Sequence, residues 1–175
     1  MKKKLFFILI IAMFTFNNTK VLAVYDDNKD IPLFNNGETK TVQVLSHSTG
    51  KTYITNKDVY LMAKVVYAES CGEPHDGKVA VASVILNRVK NPQFPKSIKG
   101  VILQRNAFSC VQNGDIKVTP DKDSYNAVIE ALKGTDPTNK ALFFYNPKIA
   151  TCTWMKHVNK QNLKVIGNHV FFNAN

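Results

Sequence analysis

The run Lys78-Val79-Ala80-Val81-Ala82-Ser83-Val84-Ile85-Leu86-Asn87-Arg88-Val89 constrains this chain more than any other stretch. It suits a helix that starts at Asp76 or Gly77 and ends before Asn91-Pro92, and its apolar residues point in nearly every direction around the axis. A helix of that kind has no face to give to water, so other elements must surround it. With 175 residues, the chain can build one domain with a proper core and is too short to make two the expectation. Asn87 and Arg88 are the polar exceptions. A solvated last turn is the favoured reading for Arg88, while Asn87 can equally orient a neighbouring polar group.

The segment before that helix carries the chain's most unusual carboxylate. Thr55-Asn56-Lys57-Asp58 offers a capping residue followed by an acid, and the spacing predicts a helix from there to about Ser70, stopped by Gly72 and Pro74. Val59, Met62, Val66 and Glu69 fall at successive steps of three and four, so Glu69 continues an apolar stripe. A charged carboxylate is disfavoured at the edge of a core, and one that keeps its proton can act as a general acid. The plainer reading makes Glu69 an ordinary end-of-helix acid on the solvent edge of the stripe.

At the N-terminus, Met1-Lys2-Lys3-Lys4, an apolar run from Leu5 to Phe16 and the small-residue end Val21-Leu22-Ala23 read as a signal peptide, residues 1–23. An uncleaved anchor is the alternative, although the run is short for a membrane span. Cleavage removes Lys2, Lys3, Lys4 and Lys20 and no acid, so the formal charge of +10 becomes +6. A basic exported protein is drawn to anionic surfaces such as wall polymers; the same charge would suit nucleic acid or acidic lipid, and charge alone does not choose. Three cysteines, Cys71, Cys110 and Cys152, do not make a disulfide-stapled scaffold. With no Cys-x-x-Cys and no His-x-x-x-His among His47, His75, His157 and His169, no metal site is expected, and no cofactor.

Residues 24–54 read as a mostly flexible leader in which only Thr41 to Leu45 alternates like a strand, or else as an edge strand packed on the core. Ser97 is placed to cap a short helix, Ile98 to Gln104, and Arg105 to Gly114 reads as a loop. Thr119-Pro120-Asp121 starts another helix with Thr119 as cap, buries Tyr125, Val128, Ile129 and Leu132, and ends at Gly134. Beyond it the pattern turns β-prone: Ala141 to Tyr145 before Asn146-Pro147, then Lys164 to Ile166 and His169 to Phe172 around a Gly167-Asn168 turn. Thr151 to Met155 suits one helical turn. The outline is α+β, a mainly helical core with a small C-terminal β part, in a domain spanning residues 55–175.

Glu69-Ser70-Cys71-Gly72-Glu73-Pro74-His75-Asp76-Gly77, followed by Val79 to Val89, resembles the opening of the SleB/CwlJ-type cell wall hydrolases, the spore cortex-lytic family. The likeness continues through Pro92-Gln93-Phe94-Pro95, Ala107-Phe108-Ser109, Ala141 to Pro147, the Ala150-Thr151 to Trp154 segment and Ile166 to Phe171, and so covers about residues 57–172. It implies a lysozyme-like domain that cleaves peptidoglycan glycan strands, secreted to the cell wall or spore cortex. The family's catalytic acid maps to Glu69. This chain departs at Cys71, where the family usually has Arg, a charge partner that Glu69 or Glu73 then lacks. The peptidoglycan-binding repeat domain that often precedes the catalytic domain is not expected in residues 24–54, which are too few to hold one. Targeting then rests on the catalytic domain, its basic charge or a regulatory protein partner. Neither a nucleic-acid partner nor, after signal cleavage, an integral membrane span is expected.

Glycosidases normally use two carboxylates. Glu73 is the nearest second candidate, but beside Pro74 it suits backbone hydrogen bonds at the turn at least as well. A single acid suits a lytic transglycosylase, in which Glu69 protonates the glycosidic oxygen and then takes the proton of the muramyl 6-hydroxyl as that oxygen closes on C1; hydrolysis by water stays open. Sugar faces call for aromatic rings with amide and hydroxyl donors, which places Phe108, Ser109, Tyr145, Asn146 and Trp154, with Glu73 and Asn87, among the substrate-contacting residues. Core packing is the competing role for Phe108 and Trp154. A nucleophilic cysteine with a His partner and a non-catalytic wall-binding module are the rival readings.

Overall fold

The structure is a computed structural model that describes residues 41–47 and 50–174. The expected signal peptide and the first part of the leader lie outside the described residues.

Strands β1 (Thr41–His47) and β2 (Gly50–Thr55) pair antiparallel. The strand anticipated at Thr41 to Leu45 is present, but a second one follows where none was expected. Its signal was there in the β-branched and aromatic run Thr52-Tyr53-Ile54-Thr55. Helix α1 (Asn56–Ser70) begins directly after β2. Thr55 Oγ1 accepts from the Asp58 N–H at 3.2 Å and the Asp58 carboxylate accepts from the Thr55 N–H at 2.9 Å, a closed capping box.

Helix α2 (His75–Lys90) starts one residue earlier than expected and is buried on every side from Gly77 to Val89. Helices α1, α3 (Ile98–Ile102) and α4 (Lys122–Leu132) pack against it. Ser97 caps α3 as anticipated, accepting from the Gly100 N–H at 3.0 Å. The cap of α4 is Asp121, not Thr119: its carboxylate accepts from the Ser124 N–H at 2.7 Å, and the buried Pro120 lies ahead of the cap. Gly134 follows α4 with φ +108°, a conformation that favours glycine.

The C-terminal part is an antiparallel sheet in the order β3-β5-β4, built from β3 (Phe143–Tyr145), β4 (Lys160–Ile166) and β5 (His169–Ala174), with α5 (Thr153–His157) between β3 and β4. Phe171 is fully buried in the helical core, and Phe144, directly opposite it, packs on the same side. One face of the sheet thus closes the helical half. The fold is α+β and rich in helix, as the sequence indicated.

Arg88 corrects one reading. It is not in a solvated turn but 5% exposed, because α2 is enclosed to its last turn. Its Nε donates to the Leu142 carbonyl at 2.8 Å, and its guanidinium lies over the rings of Phe108, Phe94 and Phe143 at 5.1, 5.4 and 5.6 Å.

Candidate active site

The corner between α1 and α2 carries the site. Val59, Met62 and Val66 of the α1 stripe are buried, and the stripe brings Glu69 to a half-buried position at the helix end. Its Oε1 accepts from the Ser109 hydroxyl at 3.1 Å and from the Cys110 backbone N–H at 3.1 Å. These donors come from the loop between α3 and α4, which the buried Phe108 anchors under Arg88 and beside Phe144.

Three further groups face Glu69 electrostatically. Burial lowers the Arg88 guanidinium to about 10, against the opposing pull of Glu69, so it stays a cation at neutral pH. Burial, the charge of Glu69 and a hydrogen bond from the thiol to Glu69 push Cys110 up to about 12, which keeps it a thiol. His169 is buried against Phe144 and Phe171, and burial holds it below the usual imidazole range although Glu73 and Glu69 pull it upward. Its Nδ1 has no hydrogen-bond partner. The 4.0 Å approach of Nδ1 to Glu73 Oε1 is therefore not a charge pair at neutral pH.

Glu73 is differently engaged. Its side chain is 8% exposed; Oε2 accepts from the Asn168 N–H at 2.8 Å and Oε1 from the Asn168 side-chain amide at 3.1 Å. Burial pushes this carboxyl up, but the two Asn168 hydrogen bonds, with His169 and Lys148 nearby, leave it below the usual range. Gly167 has φ +58°, and a Cβ there would collide with Glu73 Oε2. The turn between β4 and β5 is thus seated on Glu73, and this places His169 beside Glu69.

The other sequence-selected residues lie at varied distances from this arrangement. Phe108 is in the core and Ser109 is on Glu69 itself. Asn87 donates its amide to Asp136 at 2.9 Å and to the Ala141 carbonyl at 3.2 Å, tying the loop before β3 to α2. Tyr145 sits edge-on to Phe172 beneath the Lys160 ammonium, Asn146 accepts from the Lys148 N–H in the turn after β3, and Trp154, 47% exposed, meets Phe143 edge-on. Sequence reasoning gave no site role to Arg88 or His169 and did not make Cys110 a partner of Glu69. A clue existed for Arg88: it falls on the line of Val81 and Val84, inside an all-round apolar helix. Among the described residues, no group of three or more His, Cys, Asp or Glu side chains could hold a metal ion, and no helix is long and apolar enough to cross a membrane.

The profile of the Cell Wall Hydrolase family matches residues 72–172, more than half of the chain. The chain belongs to the cell wall hydrolase family. Glu69 stands just before the matched segment. Among curated members, the spore cortex-lytic enzyme of Bacillus cereus is 45% identical over 117 residues and that of Bacillus subtilis 43% over 117, each across 67% of this chain. This family member spans 44% and 38% of the length of those two relatives. The crystal structure of the catalytic domain of the Bacillus cereus SleB protein superposes with a TM-score of 0.64 at 41% identity, covering 73% of this chain and 98% of that one. The catalytic domain of the germination-specific lytic transglycosylase SleB from Bacillus anthracis gives 0.61 at 45%, covering 66% and 93%.

Proposed function

We propose that this cell wall hydrolase cleaves the glycan strands of peptidoglycan as a lytic transglycosylase, with Glu69 as its single general acid and base. The observation that carries the reading is the Glu69 carboxyl itself, half-buried at the end of α1 with two donors on Oε1 and none of them on Oε2. Likeness to the SleB catalytic domains supports the substrate class. Glu73, the next carboxylate along the chain, has both oxygens on Asn168, which favours a one-acid mechanism over a two-carboxylate one.

The steps balance on one proton. Glu69 gives its proton to the glycosidic oxygen as the C1–O bond breaks, and the positive charge of Arg88 favours the carboxylate that results. The carboxylate then takes the proton of the muramyl 6-hydroxyl as its oxygen bonds to C1. The product has a 1,6-anhydro end, and Glu69 is protonated again. Tyr145, Asn146 and Trp154 offer ring faces and an amide to sugars, with Phe108 behind Ser109 as support. The basic first residues and the apolar run to Phe16 support export, with action at the spore cortex or cell wall.

Turbidity loss of purified peptidoglycan tests the assignment. Wild type is expected to clear it and Glu69→Gln is not; equal clearing by both would remove Glu69 from the chemistry. Mass spectra of the released muropeptides then read the product, and anhydro ends missing throughout would exclude transglycosylation.

A further inference from the structure

The segment after Phe108 does more than line the site. Ser109 Oγ and Cys110 N both donate to Oε1 of Glu69 at 3.1 Å, so consecutive residues place a hydroxyl and an amide on one oxygen. Phe108, one residue earlier, is fixed in the core under the Arg88 guanidinium, and Asn106 turns the chain with φ +60° just before it. The donors are therefore carried by an anchored peptide, not by a free side chain at the rim.

We propose that the Ser109 hydroxyl and the Cys110 backbone N–H are positioning groups that clamp Oε1 of Glu69, leaving Oε2 as the oxygen that carries and returns the catalytic proton. The inference rests on Glu69 being the acid. Two donors on one oxygen, both carried by an anchored peptide, fix the rotation of the carboxyl and hold its other oxygen ready for a ligand. The remaining groups that act on Glu69 are the Arg88 cation from α2 and the buried, neutral His169 from β5, which also faces Glu73; neither changes in the variants below.

The test is the split between kcat and KM for muropeptide release, measured on the purified protein beside thermal unfolding. Ser109→Ala is expected to lower kcat about tenfold, the size of one hydrogen bond to a charged group, with KM and the melting temperature close to wild type. Ser109→Thr should restore kcat. Ser109→Cys, which keeps a weaker donor, should fall between wild type and Ser109→Ala. If Ser109→Ala leaves kcat unchanged, or if kcat falls only in step with the melting temperature, the loop is only structural and the clamp is wrong. Should Ser109→Ala fail to fold, Ser109→Thr and Ser109→Cys still decide, since equal kcat in those two would overturn the clamp. The underlying reading fails separately, through Glu69→Gln retaining activity.

Discussion

Glu69 and Glu73 flank the corner between α1 and α2, four residues apart, and their surroundings differ in a way that separates the acid we propose from an architectural carboxyl. Glu69 is half-buried, holds two donors on one oxygen, and keeps the other oxygen clear of both. Glu73 is nearly enclosed, and each of its oxygens accepts from Asn168. The first carboxyl can still exchange a proton with a ligand; the second is occupied in holding a β-turn against a helix corner. Burial alone therefore does not mark a catalytic acid. If Glu69 is the acid we propose, spare hydrogen-bonding capacity beside partial burial does.

The contrast can be broken by substitution. Glu69→Gln is expected to give the largest effect, a fall in peptidoglycan turnover of roughly 10²–10⁴-fold with the melting temperature nearly unchanged, measured by turbidity and thermal unfolding in parallel. Gly167→Ala comes next and acts on stability. It forces a Cβ onto the Glu73 carboxylate at a positive φ, and a loss of about 2–3 kcal/mol in denaturant unfolding is expected. Glu73→Gln is milder: it keeps one acceptor for Asn168, so about 1–2 kcal/mol is expected, with activity falling no more than His169 is displaced. If Glu73→Gln abolished turnover while leaving unfolding untouched, the two glutamates would have to exchange roles, or share one.

Much of this was legible in the sequence, for identifiable reasons. The stripe Val59, Met62, Val66, Glu69 is periodic and local, and local periodicity survives folding, so the special place of Glu69 could be read without coordinates. The all-round apolar α2 announced its central position in the same way. Cys110 was not legible as a partner of Glu69, because 41 residues separate them and only the packing of Phe108 brings them together. Glu73 and Asn168 are 95 residues apart, joined by the seating of one hairpin turn, and no pattern in either segment names the other. Arg88 was misread because the last turn of a helix is usually wet, whereas here three phenylalanines from separate segments close over it.

The pH dependence of stability gives a finer distinction between the architectural carboxyl and the rest of the molecule. The carboxyl of Glu73 lies below the usual range in the folded state because Asn168 donates to it. A depressed folded value means that its contribution is fully present above the unfolded carboxylate value, about 4.3, and is lost as pH falls through the folded value. His75 has the opposite sign. Burial opposes its charge, but hydrogen bonds at 2.6 Å to Asp123 and 3.1 Å to Glu130 raise it above the usual imidazole range, linking α2 to α4. Its contribution is present below about 6.5 and is lost as pH rises through the raised value. With that imidazole over one-third exposed, screening keeps the effect small, on the order of 0.5 kcal/mol. Unfolding free energies of wild type, Glu73→Gln and His75→Gln between pH 3 and pH 9 should show the acid-side decline reduced in the first variant and the slight alkaline-side decline absent in the second. An acid-side decline unchanged in Glu73→Gln would mean that the hairpin turn is held by something other than that carboxylate.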